Sequence, residues 1–165
     1  MATPLELDNA GALFKLDPDL GPGKREIRWI YASPRLKTWI EDALPRLEST
    51  WHIELTPQEQ LQAFVEEVFA PGEPLTYDWQ FKPLTHIEDG IWELKTADLR
   101  MFGWFYEKDC FIGSAANHTD VVKQLKLYRP YAKEAVRFRD QLDLNKPKFV
   151  PGDNPHDVVS DFSFP

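Results

Sequence analysis

Cysteine is nearly absent: one residue, Cys110, in a chain of 165, so no intramolecular disulfide can form and no zinc site built on cysteine pairs is available. No histidine or cysteine pair stands at metal-ligand spacing, no glycine-rich loop is placed to cradle phosphates, and no Gly-x-Ser-x-Gly elbow presents a nucleophile. A metal or nucleotide enzyme is therefore disfavoured, and neither a metal nor a cofactor is expected. Long apolar runs are missing too, none approaching the roughly 18 residues that cross a bilayer. The opening MATPLELDNAG lacks the charged-then-apolar profile of a secretory signal. These absences predict a soluble, cytoplasmic protein without membrane contact. There is no internal repeat and no low-complexity tract. The adjacent acids Glu41-Asp42 and Glu66-Glu67 fall on polar helix faces, where solvated charge explains them better than acid–base work.

What the chain does contain is apolar and aromatic weight, 42% and 13% of residues, enough for one sizeable core in a single domain. Its net charge is −8, which argues against a surface that clings to nucleic acid everywhere. The charge is unevenly spread. Residues 95–139 hold nine Lys or Arg and five Asp or Glu, a local excess of +4 that leaves −12 for the remainder. That asymmetry is compatible with an anion-binding face on an acidic body, and equally with a solvated helix.

Residues 1–24, with three prolines and three glycines and little periodicity, read as an irregular arm, and residues 144–165 as a proline-rich extended tail. Between them, residues 25–143 form the domain. Ile27 to Tyr31 is β-prone and stops at Ser33-Pro34, a helix N-cap followed by proline at the first helical position. Leu36, Trp39, Ile40, Ala43 and Leu44 give that helix its buried stripe, and Pro45 ends or kinks it. Thr56, Pro57 and Glu59 are a capping box for a second helix whose stripe is Leu61, Phe64, Val65, Val68 and Phe69, closed by Pro71-Gly72. Leu75, Tyr77, Trp79 and Phe81 alternate with polar residues as in an edge strand. Further on, Thr119 or Asn117 is placed to cap a helix from about Asp120 to Tyr128, with Pro130 kinking or restarting it through to Leu142.

The densest signal is GIWELKTADLRMFGWFYEKDCFIGSAA, residues 90–116. Two turns, at Ala97-Asp98 and Glu107-Lys108-Asp109, divide it into three antiparallel strands. The predicted fold is α+β, a small antiparallel sheet with two N-terminal helices and a C-terminal helix, in the order β-α-α-β-β-β-α. Gly90-Ile91-Trp92-Glu93-Leu94-Lys95 with Arg100, followed by an aromatic strand, resembles the core of the phage-derived HigB-like branch of RelE-type toxins, across roughly residues 26–142. The resemblance implies a RelE-like fold, a ribosome-dependent, metal-independent mRNA endonuclease of a toxin–antitoxin module, and a cognate antitoxin as partner alongside mRNA and the ribosome.

Metal-free RNA cleavage by attack of a 2′-hydroxyl needs a base, an acid and positive charge for the developing phosphorane. Arg100, at the start of the second meander strand, offers bidentate phosphate contact, against the plainer role of a surface ion pair. Lys95 reaches the same face if the register is right, or is a solvated strand lysine. His118 titrates near neutrality and is the candidate proton carrier, or else an exposed or capping histidine. Lys123 and Lys126, spaced for one helix face, would position the RNA backbone, and Tyr106 and Tyr131 would stack on bases; Tyr128 shares that possibility, with core packing the better fit for at least one of the three. Trp39, Trp79 and Trp92 are assigned to core or partner contacts. A rival reading is a non-catalytic interaction protein of a phage or mobile element with a RelE-like fold. It draws on the acidic charge, on Gly113-Ser114-Ala115-Ala116-Asn117-His118 where the toxins carry a basic run, and on proline-rich ends able to bind a partner as extended segments.

Overall fold

The computed structural model describes residues 1–51 and 53–165. A short helix α1 (Pro4–Asn9) and strand β1 (Phe14–Lys15) lead into β2 (Trp29–Ala32), α2 (Pro34–Asp42) and α3 (Pro57–Ala63), which widens into a π-helical stretch over Phe64–Phe69. Next come β3 (Leu75–Thr76), β4 (Phe81–Pro83), the meander β5 (Ile91–Lys95), β6 (Leu99–Glu107) and β7 (Cys110–His118), then α4 (Thr119–Gln124), α5 (Tyr128–Gln141) and a last short strand β8 (Phe162–Ser163). Both helix starts match the sequence signals: the Ser33 hydroxyl accepts from Leu36 N–H, and Thr56 and Glu59 close a reciprocal capping box. Among the described residues no helix is long and apolar enough to cross a membrane.

The architecture is α+β, built on a six-stranded sheet in the order β1-β2-β7-β6-β5-β4. The sheet is mixed, not antiparallel throughout as expected, because β2 runs parallel to β7, pairing Ile30 with Phe111 and Ala32 with Gly113. Strand alternation sorts the meander between two cores. Trp92, Leu94, Met101 and Phe105 face α2 and α3, whereas Ile91, Phe102, Trp104 and Ile112 face α5, whose Tyr131, Ala132 and Ala135 are buried. Gly103 sits where β6 shifts register against β7, and a Cβ there would stand 2.0 Å from the Ile112 carbonyl oxygen, so glycine allows the two backbones their close approach. Gly90, at φ +73°, turns the chain into β5 under the Phe149 ring, which a Cβ would meet at 2.3 Å.

Three expectations are corrected. Residues 75–82 do not form one strand: Asp78 at φ +72° breaks the run into β3, a turn and β4, because β3 leaves the main sheet to pair in parallel with β8. The helix after the meander ends at Gln124, and its cap is His118, neither Thr119 nor Asn117. The terminal segments, expected as an irregular arm and an extended tail, pack against the two cores. Leu7 and Leu13 are buried in one core and Val158 and Val159 in the other, and Trp104 Nε1 donates to the Lys148 carbonyl at 3.1 Å. Cys110 packs as a small apolar group, its thiol pushed up to about 12 by burial.

Candidate functional site

Lys95 ends β5 and Arg100 lies at the start of β6, directly across the Thr96–Asp98 turn from each other in register. A directly opposed antiparallel pair projects from one face of its sheet, so the two cations emerge together. They line a hollow of about 650 Å³ whose walls also include Lys82, Phe64, Val68 and Leu55, with Trp79 at its edge. Glu67 and Asp78 border it as well, Asp78 engaged by Lys82 at 3.4 Å.

Each cation is held by backbone. Lys95 Nζ donates to the Asp78 carbonyl at 2.8 Å. Arg100 Nη1 donates to the carbonyls of Thr96 and Leu99 at 2.8 and 2.9 Å, closing the turn, while its Nε is buried without a partner among the described residues. Two strand positions back from Lys95, on the same face, Glu93 is 1% exposed, with Oε1 3.8 Å from Lys95 Nζ and Oε2 unpaired among the described residues. Burial pushes the Glu93 carboxyl above its ordinary value, opposed by Lys95, Arg100, Lys82 and the Tyr128 hydroxyl. Burial pushes the Lys95 amine down, a trend that Glu93 resists and that Arg100 and Lys82 reinforce. Sequence reasoning did not single out Glu93 or Lys82, and it offered Tyr128 only as a stacking residue. Glu93 was legible as an acid at the same strand parity as Lys95 inside an otherwise apolar strand.

The hairpin that carries the pair is anchored to α3. Gln60 Nε2 donates to Asp98 Oδ2 at 2.6 Å, and Gln60 Oε1 accepts from Asp98 N–H at 3.0 Å and from the Thr96 hydroxyl at 3.2 Å. Asp98 also accepts from the Thr50 amide and hydroxyl. Burial alone would raise its pKa, but the bonds from Gln60, Ser49 and Thr50 outweigh it and hold the carboxyl below the usual range.

The remaining sequence candidates do not converge on this hollow. His118 pairs with Leu99 and so projects from the opposite face to Arg100. It is buried, its Nδ1 accepting from Asp120 N–H at 3.1 Å and its Nε2 3.5 Å from Asp98 Oδ1. The acceptor role at Nδ1 puts the proton of a neutral ring on Nε2, towards Asp98. It is a helix cap. Tyr131 is buried edge-on against Phe102, with its hydroxyl accepting from Asn117 Nδ2 at 3.1 Å, so no face is free for a base. Tyr106 is half-buried against the α5-side core. Lys123 and Lys126 are exposed, but α4 ends between them and Lys126 lies at φ +53°, so they do not share a helix face. No protein-family model, curated protein or solved structure matches the chain.

Proposed function

We propose that this protein is a toxin-like, metal-independent RNA endonuclease acting in the cytoplasm on mRNA at the ribosome, restrained by a cognate antitoxin. The observation that carries the reading is the cross-strand pair Lys95–Arg100 opening, with Lys82, into one hollow. The RelE-like order of elements is part of the proposal and agrees with β2, α2, α3, the meander and α5 in sequence. Arg100 stabilises the phosphorane. Its Nη1 is spent on the turn and its Nε is buried, which leaves Nη2 for the anion. Lys95 takes the proton role in place of His118: its amine lines the hollow, and burial lowers its pKa from the ordinary value, the direction a general base calls for. The neutral amine accepts the 2′-hydroxyl proton as O2′ bonds to phosphorus. The bond from phosphorus to O5′ breaks, a 2′,3′-cyclic phosphate forms, and the departing oxygen takes a proton from water at the open mouth.

The test is cleavage of mRNA by purified protein, with and without ribosomes. Arg100→Ala should lower the cleavage rate about 100-fold or more, the usual loss when a transition-state donor is removed, and should abolish growth arrest on induced expression. Cleavage by Arg100→Ala at the wild-type rate would refute the assignment.

A further inference from the structure

We infer, on the premise that the hollow takes RNA, that Trp79 is a stacking platform for a single-stranded nucleobase next to the phosphate held by Arg100. Trp79 is 67% exposed and, unlike the similarly exposed Trp51, lines the hollow that holds the cations. The turn presenting it is built to keep it there. Asp78 takes φ +72°, and its N–H donates to the Phe81 carbonyl at 2.8 Å. Gln80 N–H donates to the Thr76 carbonyl at 2.8 Å, and its side-chain Oε1 accepts from Thr76 N–H at 2.7 Å.

Both peptide neighbours of Trp79 are bonded to one residue. Lys95 Nζ donates to the Asp78 carbonyl and Lys95 N–H to the Gln80 carbonyl, each at 2.8 Å. The backbone that carries the indole is thereby tied to Lys95, beside Arg100 across the strand pair, so a base and its own phosphodiester can be gripped at one site. Across the hollow, Phe64, Val68, Ile53 and Leu55 supply apolar surface. An aromatic face beside fixed cations suits an unpaired nucleotide, whose base has a stacking face whatever its identity and whose backbone is anionic. Duplex RNA keeps its bases stacked on one another and would leave the indole unused.

The experiment is anisotropy titration of a fluorescein-labelled 2′-fluoro oligoadenylate hexamer, which binds and cannot be cleaved by 2′-hydroxyl attack, with cleavage of mRNA measured on the same proteins. Trp79→Ala should weaken hexamer binding about tenfold or more, and Trp79→Phe, which keeps an aromatic face, by no more than about threefold. Trp51→Ala is the control, since Trp51 is 61% exposed and does not line the hollow; it should bind as wild type does. Hexamer binding unchanged in Trp79→Ala, weakened equally in Trp51→Ala, or absent from the wild type overturns the platform, and the first of these would return the apolar rim to a protein partner. A wild type that cleaves mRNA while Trp79→Ala binds normally removes the platform and leaves the nuclease. A wild type that grips the hexamer through Trp79 and cuts nothing keeps the platform and removes the nuclease.

Discussion

Two influences compete for the Lys95 amine: burial and the neighbouring cations drive its proton off, and the Glu93 carboxylate holds the proton on. Substituting the carboxylate gives an outcome with a definite sign. In Glu93→Gln the charge that raises the Lys95 pKa is gone, so the neutral amine appears at lower pH. If Lys95 is the base, cleavage climbs with pH as the amine deprotonates, and this rising limb should move to lower pH, because the opposite charge that favours the protonated amine is gone. Lys95→Arg should lose the limb altogether, since a guanidinium stays charged. The measurement is the pH dependence of kcat/KM for the three proteins. A limb that stays in place in Glu93→Gln, or survives in Lys95→Arg, assigns the proton to another group.

Among elements, the decisive junction is where the β5–β6 turn meets α3. Asp98 is wholly buried there and receives its hydrogen bonds from Gln60 and Thr50, so Asp98→Asn sets an amide against the Gln60 amide and should cost about 2 kcal/mol at pH 7. Because the folded pKa of Asp98 lies below its unfolded value, the charge-dependent stability is complete above the ordinary aspartate range, about pH 4. It is lost as pH falls through the lower folded value. Urea unfolding of wild type and Asp98→Asn at pH 7 and near pH 2.5 should show the gap at the higher pH and its shrinkage at the lower; a gap independent of pH would mean that packing, not the charge, makes the junction. Nothing in the local sequence announces this contact, which spans 38 residues between two polar side chains. Local signals fared better. Ser33-Pro34, Thr56-Pro57-Glu59 and the meander turns, read at Ala97-Asp98 and Glu107-Lys108-Asp109 with β6 taking Glu107 in the structure, were legible because caps and turns are decided within four residues. The Lys95–Arg100 pairing followed from those turns and the two-residue strand period. His118 stood open between cap and catalyst because the two look alike in a polar stretch, and strand parity with the Asp120 contact identifies the cap. The broken strand at residues 77–80 was hidden by perfect alternation, since the positive φ of Asp78 is set by Lys95 and β4 from outside the segment.

At the scale of the whole molecule, the chain is closed by a guanidinium that no sequence pattern marked. Arg28 is completely buried. It donates to the Glu73 and Asp161 carbonyls at 2.8 Å each and to Asp109 Oδ1 at 3.3 Å, and its carbon lies 5.6 Å from the Phe69 ring centroid. One side chain thus ties the end of the π-helical stretch, the β6–β7 turn and the C-terminal segment together. Asp109 repeats the knot through the backbone, its N–H donating to the Val158 carbonyl and its own carbonyl accepting from Trp29 N–H, each at 2.8 Å. The proline-rich tail is therefore a structural strap: Val150 N–H bonds the Phe105 carbonyl, Val158 and Val159 complete the core beneath α2 and α3, and β8 pairs with β3. Deleting residues 145–165 would leave Arg28 with its main carbonyl acceptor on that side gone and two buried valine sites empty. Leaving a buried donor without its acceptor costs roughly 1–3 kcal/mol, the two emptied valine sites add to it, and a domain of this kind has only about 5–15 kcal/mol in hand. The truncated chain should lose its cooperative thermal transition and bind a dye for exposed apolar surface, whereas Arg28→Lys in the full chain, which keeps the charge and the tail, should melt cooperatively at a lower temperature. A truncated chain that melts within a few degrees of the full one would restore the tail to the role of a free arm available to a partner, and with it the strongest ground for a purely interacting protein.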